Sequence, residues 1–158
     1  MFAIDSAFLK GLDPFLMAAF FIGRSEIVAP DGWSEIGRTG DKLVLQSPDV
    51  KQQATITVIQ FASDLSHEQF KLLCEIRYKG ERQYLKDGFI EPDNPQPFID
   101  HDLRGMFFSG GDKSDGRVFS GYLSLVRQEL LTIYVEGYAP PKAFFEYFKA
   151  FVKGIRRH

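Results

Sequence analysis

The sequence predicts an α+β domain: an antiparallel sheet of about six strands packed with helices. Three observations lead there. Residues 54–61, Ala-Thr-Ile-Thr-Val-Ile-Gln-Phe, are rich in β-branched side chains that suit a pleated, half-buried surface. Three further strand-like runs follow one another between residues 102 and 138 with short polar breaks, the pattern of a meander. Two segments, opening near Ser66 and Pro141, switch to the spacing of an amphipathic helix.

Taken in order, residues 18–22 and 26–29 favour extended structure around a tight turn or a bulge at Gly23-Arg24-Ser25. Pro30-Asp31-Gly32-Trp33 reads as a turn, Pro in its second position and Gly near its end, that delivers Trp33 to a sheet edge. A short strand at 43–46 is stopped by Ser47-Pro48-Asp49. After the 54–61 strand, Ser66 with Gln69 forms a capping-box pattern for a helix carrying Phe70, Leu73, Cys74 and Arg77, with Gly80 at its interruption or end. Gly88, Pro92, Pro95 and Pro97 then predict a long irregular loop over 87–102. A hairpin of 102–109 and 117–125 closes through the glycine-rich stretch 110–116, and 130–138 completes the meander. The closing helix opens at Pro140-Pro141 and buries Phe144, Phe145, Phe148, Phe151, Val152 and Ile155.

The chain has 158 residues, enough for one core. Residues 18–158 are predicted to form that single domain, with 1–17 as a vector-derived or disordered extension and Met17 as the natural start. The apolar run 15–22 is too short to span a bilayer. Net charge is −2 with both signs interspersed, which gives no footprint for nucleic acid. The tail Arg156-Arg157-His158 reads as cations at a helix C-terminus. A single cysteine, Cys74, excludes an intrachain disulfide and sits on an apolar helix face as a buried small hydrophobe.

No motif for a metal or cofactor is present: His67, His101 and His158 are scattered, and no paired cysteine or histidine motif occurs. Asp100-His101-Asp102 is the one cluster with acid/base potential, but adjacent residues of an extended segment point to opposite faces and no nucleophile is suggested nearby. The stretch 110–116 lacks both the phosphate-loop order and the calcium-loop spacing, and reads as a hairpin tip. What stands out is the aromatic content: sixteen Phe, six Tyr and one Trp. Most of the Phe suit a core, whereas Tyr122, Tyr134 and Tyr138, read as in phase on neighbouring strands, form with Trp33 a candidate partner-binding surface. On that reading Tyr134→Ala weakens partner capture with little loss of fold. A packed second layer accounts for the same residues.

The order of strand, Pro30-Asp31-Gly32-Trp33, strand ending in Ser47-Pro48, central strand 54–61, Ser66-capped helix, strands around 105–109, 117–122 and 130–137, and terminal helix resembles the PsbP-like/DcrB-like α/β sandwich family, over roughly residues 18–155. That family includes extrinsic photosystem II proteins, a Ran-binding nuclear factor, envelope lipoproteins and chaperones associated with type VI secretion effectors. The resemblance implies a non-enzymatic binding protein without a cofactor, whose partner is another protein, an effector or toxin. A bacterial, cytoplasmic chaperone or immunity protein is the expectation, with neither nucleic acid nor a membrane span involved and with a homodimer open. The alternative is a small-molecule or lipid carrier, which requires an apolar pocket of at least roughly 300 Å³ with convergent polar groups beneath the 87–102 segment. An enzyme built on His101 is the third reading.

Overall fold

In a computed structural model, residues 18–100, 103–138 and 141–157 are described. They form two antiparallel sheets and two helices. The larger sheet has seven strands in the order β3-β4-β5-β9-β8-β7-β6: β3 is Ser34–Arg38, β4 Lys42–Gln46, β5 Gln52–Gln60, β6 Gly88–Asp100, β7 Leu103–Asp112, β8 Arg117–Val126 and β9 Glu129–Gly137. The smaller one joins β1 (Ala19–Ile22), β2 (Ser25–Val28) and β10 (Ile155–Arg157) in the order β1-β2-β10. The α+β expectation holds; the structure has more strands than the six expected.

Both faces of the large sheet are covered, and strand alternation decides which side chain goes where. On one face Leu43, Leu45, Ala54, Ile56, Tyr122, Leu131, Ile133 and Val135 pack against α2 (Pro141–Lys153) and the small sheet, through Phe144, Phe148, Phe151, Ile27 and Ile155. On the other face Phe108, Phe119, Leu123, Leu130 and Tyr134 pack beneath α1 (His67–Arg82), through Cys74 and Tyr78. The capping box is formed as predicted: Gln69 N donates to Ser66 Oγ at 3.1 Å and Ser66 N to Gln69 Oε1 at 2.8 Å.

Several elements differ from the sequence reading, each for a physical reason. The 87–102 segment is β6, a strand in spite of its prolines. It is an edge strand bonded only to β7, so a residue without an N–H is tolerated there. The register shift between Glu91 and Gln96 absorbs Pro92 and Pro95. Gly110 and Gly111 continue β7 rather than forming a hairpin tip, because backbone and rings of β6 and β8 approach too closely for a side chain: a Cβ at Gly111 would stand 3.1 Å from the Phe89 ring. Gly80 lies inside α1 with open space beside it and does not end the helix. Gly154 does end α2, since Val28 N donates to its carbonyl at 2.9 Å and the Val28 backbone leaves no room for a Cβ. Ile155 is buried as expected, but on β10.

The tail reading changes with it. Arg157 is interior, its guanidinium 3.4 Å from the Glu129 carboxylate, with both side chains 7% exposed. It also donates to the Glu129 carbonyl at 2.9 Å and the Ser124 carbonyl at 3.2 Å, while Arg24 N donates to Glu129 Oε2 at 3.1 Å. Burial lowers the Arg157 pKa and the Glu129 charge opposes that. Of the two described tail residues, Arg156 fits the helix-terminus reading, donating to the Lys153 carbonyl at 3.1 Å.

In the first turn Trp33 N bonds Pro30 O, which puts Pro30 first and Gly32 third, with φ +79°. Trp33 is carried inward and meets Phe151 edge-to-face at 4.8 Å and Tyr147 at 6.0 Å. Trp33→Ala is therefore expected to cost about 3–5 kcal/mol, read from urea melts. A loss within about 0.5 kcal/mol, the range of a surface change, would place the ring outside the core.

A buried carboxylate ties the far end together. Asp112 accepts from Lys86 N and Ser114 N at 3.0 and 2.9 Å, from Asp87 N at 3.3 Å, and from the Ser114 hydroxyl. These bonds, the Ser114 hydroxyl foremost, hold its pKa well below the ordinary 3.8. The folded value being the lower one, the stability it contributes is present above the unfolded pKa and is lost as pH falls through it toward the folded one. Asp112→Asn should thus destabilise clearly at pH 7 and progressively less as the pH is lowered below 3.8 in urea titrations; a loss that does not shrink as the pH falls would exclude the charge as the cause.

Candidate functional site

Of the four aromatic residues expected to form a partner surface, the structure buries three. Trp33 is 4% exposed, Tyr122 0% and Tyr134 7%, while Tyr138 is 57% exposed. Nor do the tyrosines share a face. Tyr122 is opposite Ile133 and Tyr134 opposite Gly121, so Tyr122 lies under α2 and Tyr134 under α1. The phase is set by the two-residue turn Arg127-Gln128, with Arg127 at φ +57°, which pairs Val126 with Glu129.

Tyr134 stacks on Phe119 with centroids 5.6 Å apart. The Arg77 guanidinium lies 5.0 Å over the Tyr134 ring and that of Arg117 5.7 Å over Phe119. Arg117 is paired with Glu136 at 2.9 Å, and Arg77 stands 3.7 Å from Glu81. The buried Tyr134 hydroxyl has no hydrogen-bond partner among the described residues. Burial first, then the Glu81 and Glu136 charges, push its pKa far above the ordinary phenol value. The phenol stays neutral at any physiological pH, so the cluster clamps α1 to the sheet rather than moving protons. Cys74, pushed up to about 12 by burial and Glu75, is protonated as well and behaves as the buried hydrophobe expected.

His67 is the exposed first residue of α1. His101 and His158 lie outside the described residues, as do residues 1–17. Among the described residues no three His, Cys, Asp or Glu gather as a metal site would need, and no helix is long and apolar enough to cross a membrane.

What the sequence reading missed is the outer face of α1. Cys74 and Tyr78 point into the core; Leu72 and Ile76, one turn apart on the opposite side, are 56% and 60% exposed. Gly80 extends the line by another turn with open space above it, and Tyr84, 82% exposed, stands just beyond the helix. Ion pairs flank the strip, Lys79 with Glu75 at 3.8 Å and Arg77 with Glu81. A helix that only covers a sheet has a polar outer side. This one adds two exposed aliphatic side chains to a charged outer side, a signal present in the spacing of Leu72, Ile76 and Gly80.

No protein-family model matches the sequence, and no curated protein is similar to it. Solved structures do match. PsbP (CyanoP) from the cyanobacterium Synechocystis sp. PCC 6803 superposes with TM-score 0.62 over 85% of this chain and 87% of its own, at 12% identity. LpqN of Mycobacterium tuberculosis, described as involved in cell envelope biogenesis, gives 0.62 over 83% and 81% at 11% identity. The Ran-binding protein Mog1p of Saccharomyces cerevisiae gives 0.56 over 89% and 96% at 8% identity. The fold is PsbP-like. At these identities the likeness establishes the PsbP-like architecture alone.

The placement of the two tyrosines sets their behaviour apart. Tyr134→Ala opens the stack on Phe119 and is expected to cost about 3–5 kcal/mol, against about 0.5 kcal/mol or less for Tyr138→Ala. Denaturant melts of the two variants read this, and equal losses would contradict the burial difference.

Proposed function

We propose that this PsbP-like domain is a non-enzymatic protein-binding module that docks its partner on the outer face of α1. The observation that carries the reading is the solvent-facing line Leu72, Ile76 and Gly80, apolar at the centre and charged at the rim. Gly80 leaves room for a partner's backbone to come close at that point. Mog1p, by its name a Ran-binding protein, supports the idea that the scaffold serves recognition. The finer reading, a bacterial secretion-system-associated chaperone or immunity protein that holds an effector or toxin, rests on the family resemblance. An apolar line on a helix suits a helix or strand of such a partner.

The test is affinity capture from the native host with the wild-type chain and with Leu72→Glu/Ile76→Glu. The double variant is expected to lose the captured protein while its stability changes by no more than about 1 kcal/mol, because both side chains are on the surface. Capture unchanged by the double variant would remove α1 as the docking face. Sedimentation of the purified wild-type protein adds a second readout: a dimer that the variant dissolves would make the partner another copy of this chain.

A further inference from the structure

On the opposite face of the large sheet, α2 does not reach the β6 edge, and the gap is a cavity of about 390 Å³. Its floor is built row by row. Phe89, Gly111 and Val118 stand side by side on β6, β7 and β8, and Ser109 is beside Ser120 in the adjacent row. The absence of a side chain at Gly111 lets the Phe89 ring lie over the sheet and close one wall. Phe144 and Phe145 of α2 close the other. The two serine hydroxyls are 2.7 Å apart and bond each other, which satisfies one of their two donors within the floor itself.

Each ring of the rim carries a cation. Lys113 Nζ is 5.8 Å from the Phe89 centroid and Lys149 Nζ is 5.3 Å from that of Phe145. Lys149 also pairs with Glu146 at 3.0 Å, a contact within one turn of an exposed helix face that a stronger anion can displace. Apolar walls beneath two ammonium groups suit one chemical class. At roughly 30 Å³ per water-sized group the volume takes on the order of a dozen such groups, which matches one hydrocarbon tail rather than two or a fused ring system with polar substituents.

We infer that this cleft binds a single-chain anionic amphiphile, its tail between α2 and β6–β8 and its carboxylate or equivalent head at Lys113 and Lys149. The site is independent of the α1 surface and meets the size set for the carrier alternative. Its polar groups are the two rim cations, which a carrier needs for orientation, and the paired serines.

The experiment is calorimetric titration of the full chain with dodecanoate and dodecyltrimethylammonium below their micelle concentrations and with 1-dodecanol below its solubility limit. Dodecanoate is expected to bind one to one, the alcohol about tenfold more weakly, and the cation weaker still, since one lost charge contact of about 1.4 kcal/mol corresponds to a factor of ten. Lys113→Glu/Lys149→Glu should erase the preference for dodecanoate over the alcohol while leaving the melt unchanged. Val118→Trp, which fills the cavity, should abolish binding of both. No saturable binding of dodecanoate, equal affinity for all three head groups, or binding that survives Val118→Trp in a folded protein would each overturn the assignment.

Discussion

β9 has no solvent face, and that constraint organises the molecule. Every residue from Leu130 to Val135 is buried, the odd positions beneath α2 and the small sheet, the even ones toward the α1 side. A central strand clad on both sides needs apolar or self-satisfied polar residues at successive positions, not at alternate ones. The aromatic surplus follows from this. Phe144, Phe148 and Phe151 fill one layer, and Phe108, Phe119 and Tyr134 the other. Two layers of rings on one sheet consume what looked like a surplus available for adhesion.

Closing the first layer demands a second sheet, and the buried pair Glu129–Arg157 marks where the two meet. Desolvating two ions offsets much of their attraction, so the pair is weak as a source of net stability. Its geometry is demanding, however. The carboxylate accepts from Arg24 N in the β1–β2 turn and sits where any side chain at Gly23 would collide with it, while Arg157 reaches the Ser124 and Glu129 carbonyls of β8 and β9. Either charge left alone in that place is costly, which penalises any register of β10 that parts them. The pair therefore specifies how the small sheet docks, and burial of Ile22, Ile27 and Ile155 supplies the attraction.

How much of this was legible depended on whether the signal was local. The β-branched 54–61 run, the Ser66–Gln69 box and the phenylalanine stripe of the closing helix are local, and all three elements formed where the pattern put them. β6 was hidden because its prolines forbid a central strand but not an edge one, and edge position is a property of the whole sheet. The shared face assigned to Tyr122 and Tyr134 failed on a single residue of register, fixed by the turn at Arg127. Gly110 and Gly111 looked like turn residues because close approach of neighbouring strands leaves the same glycine signature as a loop. Of the two candidate sites, the outer line of α1 was readable from helical spacing. The cleft was not, since it is lined by residues of three strands and a helix that only the folded sheet brings together.

The two sites lie on opposite faces of one rigid sheet, and this bears on how they would work together. A partner seated on Leu72 and Ile76 covers none of the surface that leads to Phe89 and Phe145, so neither occupant excludes the other sterically. What they share is residue Phe119, whose ring stacks on Tyr134 beneath α1 while its main chain passes the cleft between Val118 and Ser120. The ring itself faces the α1 side alone, where Tyr134 and the Arg117 guanidinium hold it from two directions. Coupling between sites requires an element with two arrangements that both ligands bias. A ring clamped in this way favours independent occupancy: the cleft governs what the domain carries, and α1 governs what it meets.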